Sequence, residues 1–432
     1  MADDKLPSGW RSVKLGDLGE VNRGRSRYRP RYAEHLYGGP YPFVQTGDIK
    51  ESGGRITAYK QTYSEAGLAQ SRLWPAGTMC ITIAANIAET GILTFPACFP
   101  DSVVGFVADQ SKCDARFIEY TFRHLKSRIQ HEASGSVQDN INLGTLERLR
   151  FPLPPLEEQR AIAHVLGTLD DKIELNRKMN ETLEAMARAL FKSWFVDFDP
   201  VRAKAEGRDP GLPKQLADLF PASLEDSELG EIPRGWRTGS LALVAENPRR
   251  GIQPSAVPPS TPYIGLEHMP RRSIALSEWG EASSVESNKS GFRRGQILFG
   301  KLRPYFHKVG IAPIDGVCST DIVVAKPKEQ HWFGFVLAHM SSESFVEYTN
   351  AGSTGTKMPR TNWDEMSRYP VVLPPDSVAA RFNSLTGPLI DRTVAGIHES
   401  KNLAASRDTL LPKLISGELC VSDPNRILRE SV

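Results

Sequence analysis

The chain has 432 residues, of which 40% are hydrophobic and 24% are charged, and its formal net charge at pH 7 is +2. It is too long for one ordinary domain, and its composition is typical of a soluble protein with two or three domains. The near-neutral charge excludes a chain that is basic throughout, so a nucleic-acid binder of this kind must concentrate positive side chains on one face or borrow charge from partners.

The N-terminus, Met1–Lys5, is acidic and polar, so we expect no secretory signal there. No apolar run approaches the roughly 18 residues that cross a bilayer. The five cysteines are Cys80, Cys98, Cys113, Cys318 and Cys420. Their number is odd and none of them are in Cys-x-x-Cys spacing, which disfavours a zinc site. We therefore predict a reduced, cytoplasmic setting and no metal site.

A basic segment near the N-terminus is too rich in glycine and proline for a helix, and its arginines alternate with other residues. Such a stretch can place guanidinium groups on DNA phosphates or on guanine edges. An isolated arginine pair is more often solvated surface, so the prediction also depends on the paired architecture of the chain. The candidate DNA-binding residues of this segment are Arg23, Arg25, Arg27, Tyr28, Arg29 and Arg31.

Residues 79–83 and 103–107 are rich in β-branched and aromatic side chains and predict strands. A loop follows at Gly135, and its residues Ser136, Gln138 and Asn140 are further candidates for DNA binding. Gln and Asn can bind adenine edges with two hydrogen bonds. The same residue types are equally common in loops that only turn the chain, so both interpretations stay open.

A double proline, Pro154-Pro155, precedes an apolar stripe whose members step by threes and fours. The stripe predicts a spacer helix over residues 154–195 with a coiled-coil seam. Its packing residues are Ile162, Leu169, Ile173, Met179, Leu183, Met186 and Leu190. Residues 196–230 are expected to form a loop-rich connection.

Four short motifs then recur in the same order along the chain. They are Leu6–Arg11 with Ile232–Arg237, Trp74–Met79 with Phe292–Ile297, Gly135–Val137 with Gly352–Thr354, and Phe151–Pro155 with Val371–Pro375. Their offsets are 226, 218, 217 and 220 residues, which is nearly one spacing. The chain is therefore predicted to be two copies of one unit, and a single large domain with coincidental turns is the less favoured alternative.

The second copy offers the same parts as the first. Residues 296–299 and 322–324 predict strands, and basic side chains surround them. The candidate DNA-binding residues are Arg249, Arg250, Arg271, Arg272, Lys301, Arg303, Tyr305, Thr354, Lys357 and Arg360. A second spacer helix is predicted over residues 374–420, with an apolar stripe that ends before Pro412; its packing residues are Leu385, Leu389, Val394, Ile397 and Leu403.

The two stripes match in length and lie at equivalent places in the repeat, so we predict that the helices pack antiparallel. The predicted fold class is two α/β (α+β) recognition domains, related by a pseudo-two-fold repeat and separated by an antiparallel two-helix coiled coil. The expected limits are 1–153 for the first recognition domain, 154–195 for the first helix, 196–230 for the connection, 231–373 for the second recognition domain, 374–420 for the second helix and 421–432 for a tail. The pseudo-symmetry also predicts that the two chain termini lie close together.

This architecture suits DNA recognition at two places. A helix of about 35 to 40 residues is about 55 Å long. Such a spacer could hold two DNA-reading domains on half-sites about one turn, roughly 34 Å, apart. The recognition domains differ strongly in sequence, so we expect unlike half-sites and a split, asymmetric DNA target.

Two catalytic patterns near the candidate residues are imperfect. Residues 295–302 nearly spell a P-loop, but Leu302 replaces the hydroxyl that binds magnesium, and Pro304 opposes the helix that must follow. The run Asn247-Pro248-Arg249-Arg250 lacks the aromatic side chain that stacks on a flipped base in adenine methyltransferases. Neither pattern predicts catalysis.

A third pattern, Pro375-Asp376 with Glu399-Ser400-Lys401, resembles a nuclease motif, but its last three residues lie on the predicted second helix, where a Glu and a Lys are ordinary. We predict no catalytic residue. One alternative is a stand-alone DNA methyltransferase or nuclease, which would turn over without any partner. The other is a coiled-coil scaffold with no DNA role, which would show no sequence-dependent binding.

Several motifs resemble those of specificity subunits of type I restriction-modification systems. Leu153–Ala163, followed by Leu169–Ile173, is similar to the start of that family's spacer helix, and Leu190–Val201 is similar to its end. The remaining resemblances are Gly230–Trp236 to the entry of the second recognition domain, and Gly300–Tyr305 and Cys318–Asp321 to recognition-domain motifs. Asp376–Arg381 departs from the family, which usually has a Glu-Glu-Gln-like run there, so the two partner contacts need not be alike.

The resemblance implies a non-catalytic subunit that binds no cofactor. In this family two target-recognition domains each read one half of a split double-stranded DNA site. The spacer helices set the gap and dock two methyltransferase subunits, which carry S-adenosylmethionine and methylate adenine N6. Two motor-nuclease subunits that depend on ATP and magnesium join for restriction.

Overall fold

A computed structural model describes residues 6–28, 30, 32–134, 141, 143–284, 286–355 and 358–421. The chain divides into two compact units, one formed by Met1–Lys172 with Leu403–Val432 and the other by Ile173–Asn402. Both units combine helices with sheets, so the predicted mixed α/β class is confirmed. The division differs from the expected domain limits, because each long helix contributes one part to each unit.

The elements of the first unit follow one another as β1 (Arg11–Lys14), β2 (Gly19–Arg23), β3 (Tyr37–Phe43), α1 (Thr46–Glu51), β4 (Arg55–Ile56), β5 (Gln61–Tyr63), α2 (Glu65–Ala69), β6 (Met79–Thr82), β7 (Thr90–Leu93), β8 (Val103–Ala108), α3 (Ala115–Ser134), α4 (Leu143–Arg148), β9 (Arg150–Leu153) and the beginning of α5 (Leu156–Phe195). The predicted strands at 79–83 and 103–107 are β6 and β8, which are neighbours in a five-stranded sheet of order β2-β8-β6-β7-β4.

The central strands of this sheet are buried on both faces. On one face, Met79 and Ile81 of β6 join a core that includes Phe117 of α3, Leu166 of α5 and Leu414. Cys80, which points to the opposite face because strand side chains alternate, joins a second core with Trp74 and Phe99. The sheet is therefore covered on both faces by apolar side chains.

The second unit continues from α5 through α6 (Asp199–Ala205), α7 (Lys214–Ala217), β10 (Leu224–Ser227), β11 (Gly230–Pro233), β12 (Arg237–Ser240), β13 (Ala245–Glu246), β14 (Gly251–Ile252), β15 (Pro262–Ile264), β16 (Gly280–Glu281), β17 (Lys289–Phe292), β18 (Ile297–Gly300), β19 (Val309–Ile311), β20 (Gly316–Cys318), β21 (Ile322–Pro327), α8 (Phe333–Met340), α9 (Glu343–Ala351), α10 (Trp363–Met366) and β22 (Pro370–Leu373) to α11 (Asp376–Ser416). Its two larger sheets have the orders β13-β21-β18-β19 and β14-β17-β20-β15-β16.

Equivalent strands pair in the same way in the two units. In the first, β6 and β8 are antiparallel, and Ile81 lies opposite Val104. In the second, β18 and β21 are antiparallel, and Phe299 lies opposite Val323. The repeated motifs at 151–153 and 371–373 likewise pair, as β9 and β22, with β1 and β12. The sequence repeat therefore corresponds to a repeat of strand pairing.

The long helices α5 and α11 have 40 and 41 residues, or about 60 Å each at 1.5 Å per residue. Within the first unit, Asp170 of α5 pairs with Arg407 of α11 at 2.7 Å, and the core joins residues 162–166 to 411–415. Within the second unit, Asn176 Nδ2 donates to Ser400 Oγ at 3.3 Å, and the rings of Phe191 and Phe382 lie 6.3 Å apart. In each unit, residues later in α5 contact residues earlier in α11, so the two helices run antiparallel there.

The predicted seam needs one correction. Ile162 and Leu169 are buried, and Ile173, Met179, Leu183 and Leu190 are half-buried, but Met186 is 54% exposed. The buried face passes instead through Asn176, Asn180 and Glu184. Met186 follows Glu184 by two residues, which is about 200° around the axis, and so it points outward. On α11, Val394, Ile397 and Leu403 are buried, and Leu385 and Leu389 are half-buried.

Three further expectations are refined. The stripe of α11 does not stop before Pro412, because the helix continues to Ser416 and buries Leu414 and Ile415 in the first unit's core. The connection 196–230 contains α6 and α7, whose Val201 and Leu216 enter the second unit's core. The chain termini themselves lie outside the described residues, but Leu419 and Val421 pack on the core that contains Trp10.

Within the described ranges, no helix is both long enough and apolar enough to cross a membrane.

Candidate nucleic-acid interface

A basic loop, Lys301–His307, connects β18 to β19 in the second unit. Its backbone is left-handed at Arg303 (φ 51°) and His307 (φ 50°), and Pro304–Phe306 form a single 3-10 turn between them. Left-handed backbone at residues other than glycine costs about 1–3 kcal/mol each and persists only where the surroundings enforce it. Here the Arg303 N–H donates to Pro359 O at 2.8 Å, and His307 Nε2 donates to Ser341 O at 2.9 Å. The loop is therefore held in one shape.

The second predicted segment, around Thr354–Arg360, lies against this basic loop. Thr354 and Arg360 exchange two backbone hydrogen bonds of 3.0 Å, and the Thr361 N–H donates to Lys301 O at 3.1 Å. The Arg360 guanidinium pairs with Asp321 at 3.0 Å. Segments about 55 residues apart in sequence are thus brought together; Lys357 lies outside the described residues.

A cleft of about 360 Å³ opens beside the basic loop and is lined by polar and charged side chains together with the apolar residues 322–324 of β21. Its cations are Arg249, Arg250 and Lys301, and Asp364 is the carboxylate that lines it. Arg249 pairs with Asp364 at 2.8 Å, whereas Arg250 and Lys301 form no ion pair with the residues that the structure describes. The cleft therefore carries net positive charge and is suited to a phosphate-bearing ligand.

The predicted arginine pair Arg271-Arg272 borders the basic loop from another side. The Arg271 guanidinium lies 4.3 Å from the Phe306 ring centroid, and the Arg272 N–H donates to His307 O at 2.9 Å. Arg272 also forms an ion pair with Glu343. Tyr305, at the tip of the basic loop, is half-exposed. Aromatic and guanidinium groups are thus exposed side by side, and guanidinium groups on a surface can contact phosphates.

Glu184 of α5 fixes the segment that follows this arginine pair. Its carboxylate accepts hydrogen bonds from Ser273 Oγ at 2.7 Å and from the Ile274 and Ala275 N–H groups at 3.1 Å each. Burial raises the pKa of Glu184 above its usual range, and these three donors oppose that shift. The helix thereby positions Arg271 and Arg272 against the basic loop.

In the first unit the predicted arginines lie at a sheet edge. Arg23 ends β2, the edge strand, and its Nε donates to Asp101 O at 3.1 Å. Arg25 and Arg27 are exposed and form no ion pair among the described residues. The Tyr28 ring packs edge-on against His35. The other first-unit candidates, Arg29, Arg31, Ser136, Gln138 and Asn140, lie outside the described residues.

Sequence reasoning missed several residues that line the cleft. Asn247 and Thr320 could have been predicted from the sequence. Asn247 lies in the run that was compared with adenine methyltransferases, and Thr320 lies in the Cys318–Asp321 recognition-domain motif. Trp363 and Asp364 gave no signal, because they begin α10 and reach the cleft only through the tertiary fold. Asp364 matters most, since it neutralises Arg249.

The catalytic patterns do not assemble into sites. The P-loop-like residues form β18, and the segment after it makes a 3-10 turn rather than the helix that a P-loop needs. Asp376 and Glu399 lie on one helix about 35 Å apart, and Glu399 pairs with Arg392 at 3.6 Å.

Burial raises the pKa of the Cys80 and Cys318 thiols, so they are poor nucleophiles. In the described ranges, no cluster of His, Cys, Asp and Glu could hold a metal ion.

Comparison with known proteins agrees with this geometry. Residues 7–185 match the family described as the type I restriction modification DNA specificity domain. The chain is 26% identical to the type I restriction enzyme MjaIX specificity subunit of Methanocaldococcus jannaschii, with 97% of this chain and 95% of that protein aligned. It is 24% identical to the EcoDI specificity subunit of Escherichia coli, with 97% and 94% aligned.

A solved structure supports the fold. The crystal structure of the type I restriction-modification S subunit from M. genitalium superposes with a TM-score of 0.59 at 14% identity, covering 96% of this chain and 98% of that one. Residues 7–185 therefore resemble a DNA specificity domain of the type I restriction-modification class. The predicted resemblance of the chain to type I specificity subunits is confirmed.

Proposed function

We propose that this chain is the DNA-recognition subunit of a type I restriction-modification complex and that it binds a split, asymmetric DNA site. The observation that carries this proposal is the second unit's cleft, where Arg250 and Lys301 face solvent without an ion-pair partner in the described part of the chain. The family match supplies the context, since its members are DNA specificity domains. Unpaired positive charge in a cleft favours binding of the DNA phosphate backbone.

The two long helices support the split-site part of the proposal. Each is long enough to separate two readers by more than one turn of DNA, roughly 34 Å. The readers themselves are unlike: the first unit presents Arg25 and Arg27 at a sheet edge, and the second presents a cleft. Unlike readers recognise unlike half-sites, so the target is asymmetric.

The outward face of α5 suits a protein partner. Leu175 and Met186 of α5, and Val196 immediately after it, are each more than half exposed, and exposed apolar side chains of this kind can contact a partner. The residues 220 positions later, Ala395, Ser406 and Ser416, are small or polar. We propose that methyltransferase subunits, which carry S-adenosylmethionine and methylate adenine N6, dock on the spacer helices and that the α5 and α11 docking surfaces are not equivalent.

This assignment gives the chain itself no catalytic step. The chemistry belongs to partners: S-adenosylmethionine on the methyltransferase subunits, and ATP with magnesium on the motor-nuclease subunits. The reduced, cytoplasmic setting expected from the cysteines is consistent with that role.

The experiment compares two charge-matched double variants in the full-length chain bound to its methyltransferase partners. Arg250→Ala with Lys301→Ala removes the two unpaired cations of the cleft. Arg294→Ala with Lys328→Ala removes two exposed cations of the same unit that do not line it. Binding to a duplex carrying the target is measured against salt concentration. We expect the first variant to bind at least tenfold more weakly and its salt slope to fall by about 2, with the control near wild type.

Other outcomes would contradict the proposal. Equal effects of the two double variants would show that the cleft does not bind DNA. Wild-type complexes without sequence-dependent binding would favour the scaffold alternative, and methyl transfer by the isolated chain would favour the enzyme alternative.

A further inference from the structure

The first unit contains a loop that corresponds in position to the basic loop of the second. This loop, Ile83–Glu89, connects β6 to β7, as the basic loop connects β18 to β19. We name it the alanine loop, because Ala84, Ala85 and Ala88 belong to it. It carries no arginine or lysine, so a search for basic residues does not find it.

The backbone of the alanine loop is unusual in the same way as that of the basic loop. Ala85 (φ 49°), Asn86 (φ 27°) and Ala88 (φ 61°) are all left-handed. Ala85 lies 218 residues before Arg303, and Ala88 lies 219 residues before His307. Left-handed backbone at residues other than glycine is uncommon and clusters at functional sites, so its recurrence at one offset in both units is informative.

The surroundings of the two loops also correspond. The Ile141 N–H donates to Ile83 O at 3.0 Å, and the Thr361 N–H donates to Lys301 O at 3.1 Å. Each loop is thus bonded to the chain that follows the repeated Gly-Ser motif. In the first unit Lys50, from α1, donates from Nζ to Asn86 Oδ1 at 3.3 Å. A cation therefore flanks the alanine loop, as Arg271 flanks the basic loop.

The alanine loop is held rigidly with its tip in solvent. The Ala88 N–H donates to Thr82 O at 2.9 Å, the Glu89 N–H donates to Thr82 Oγ1 at 2.9 Å, and Gln130 Nε2 donates to Ile87 O at 2.9 Å. Ala85 and Asn86 are exposed at the tip. A fixed loop that presents an asparagine amide between small neighbours is suited to reading a base edge, because Asn can bind adenine with two hydrogen bonds.

We propose that the alanine loop is a DNA-reading element of the first unit, with Asn86 on a base edge of one half-site and Lys50 on a neighbouring phosphate. This inference rests on the proposed function and adds a specificity residue to it. The exposed arginines at the edge of the sheet then act as phosphate contacts that position this loop over the groove.

The test variant is Asn86→Gly. Glycine removes the amide and favours the left-handed backbone, so the loop keeps its shape. Binding is measured for the full-length chain with its methyltransferase partners, on the wild-type target and on duplexes with single base substitutions in each half-site. We expect discrimination at one base pair of one half-site to fall about tenfold, with no change at the other half-site. Lys50→Ala should weaken binding to all sequences alike and lower the salt slope by about 1.

Two results would overturn the inference: Asn86→Gly with wild-type discrimination at every base pair, or a uniform loss on all duplexes, which indicates a merely structural role. Thermal unfolding of the variant checks that its fold is intact. Failure of the proposed function is distinguishable, because it would appear in the wild-type complex as equal binding to all duplexes.

Discussion

Buried polar side chains in the second unit differ in how well they are satisfied. Glu184 receives three hydrogen bonds, whereas Nε2 of His339 has no hydrogen-bond partner within the described part of the chain. The His339 ring packs against Phe191, Phe335 and Tyr369. Burial lowers the pKa of His339 to about 3, so this imidazole stays neutral in the folded protein.

The depressed pKa of His339 predicts a pH-dependent stability. The unfolded chain binds a proton there below about pH 6.5, and the folded chain does not. The contribution of His339 to the free energy of unfolding is therefore fully present above that pH. It is lost as the pH falls, by up to about 1.4 kcal/mol per pH unit. Urea unfolding between pH 7.5 and 5 checks this. His339→Gln should show a shallower dependence than wild type, and identical slopes would contradict the assignment.

At the scale of elements, the buried face of α5 predicts very different effects for two leucines. Leu166 is fully buried in the first unit's core, and Leu175 is 53% exposed. Leu166→Ala should lower the free energy of unfolding by about 2–5 kcal/mol, because it removes packing and leaves a cavity. Leu175→Ala should change it by about 0.5 kcal/mol or less. Both substitutions replace leucine by alanine, so they change helix propensity equally, and a difference between their free energies of unfolding reports the difference in burial. Denaturant unfolding of the isolated chain measures both values. Similar losses of stability would show that the buried face of the helix is wrongly assigned.

The elements also show what sequence reasoning can and cannot find. The double prolines and apolar stripes indicated both long helices, and β-branched runs indicated β6, β8, β18 and β21. The prediction for Met186 was wrong because the spacing of apolar residues was used to define the buried face of α5. That face also contains the polar residues Asn180 and Glu184. Pro412 predicts the end of the apolar stripe on α11, but burial of Leu414 and Ile415 compensates for the hydrogen bond that proline cannot make.

The candidate site divides in the same way. Lys301, Arg303 and Arg250 were indicated by their residue types and by the repeat. Ion pairs with Asp364 and Glu343 were not, because partners far apart in sequence meet only through tertiary packing. The alanine loop was missed because backbone conformation, rather than charge, distinguishes it.

At the scale of the whole chain, the proposed function requires the two long helices to set the gap between two DNA half-sites. Their lengths, 40 and 41 residues, are nearly equal, and in each unit separately they run antiparallel. Removing one heptad from facing stretches of both helices shortens the pair by about 10 Å, or about 3 base pairs. The candidate DNA-binding residues lie outside both helices, so the sequences that they read should not change.

Long-read mapping of N6-methyladenine in DNA from cells that express the complex tests this claim most directly. With the wild-type chain, we expect two unlike half-sites separated by a fixed run of unspecified bases. With one heptad removed from each helix, the same half-sites should return with a gap about 3 base pairs shorter. A single contiguous motif, or new half-site sequences at an unchanged gap, would contradict the account.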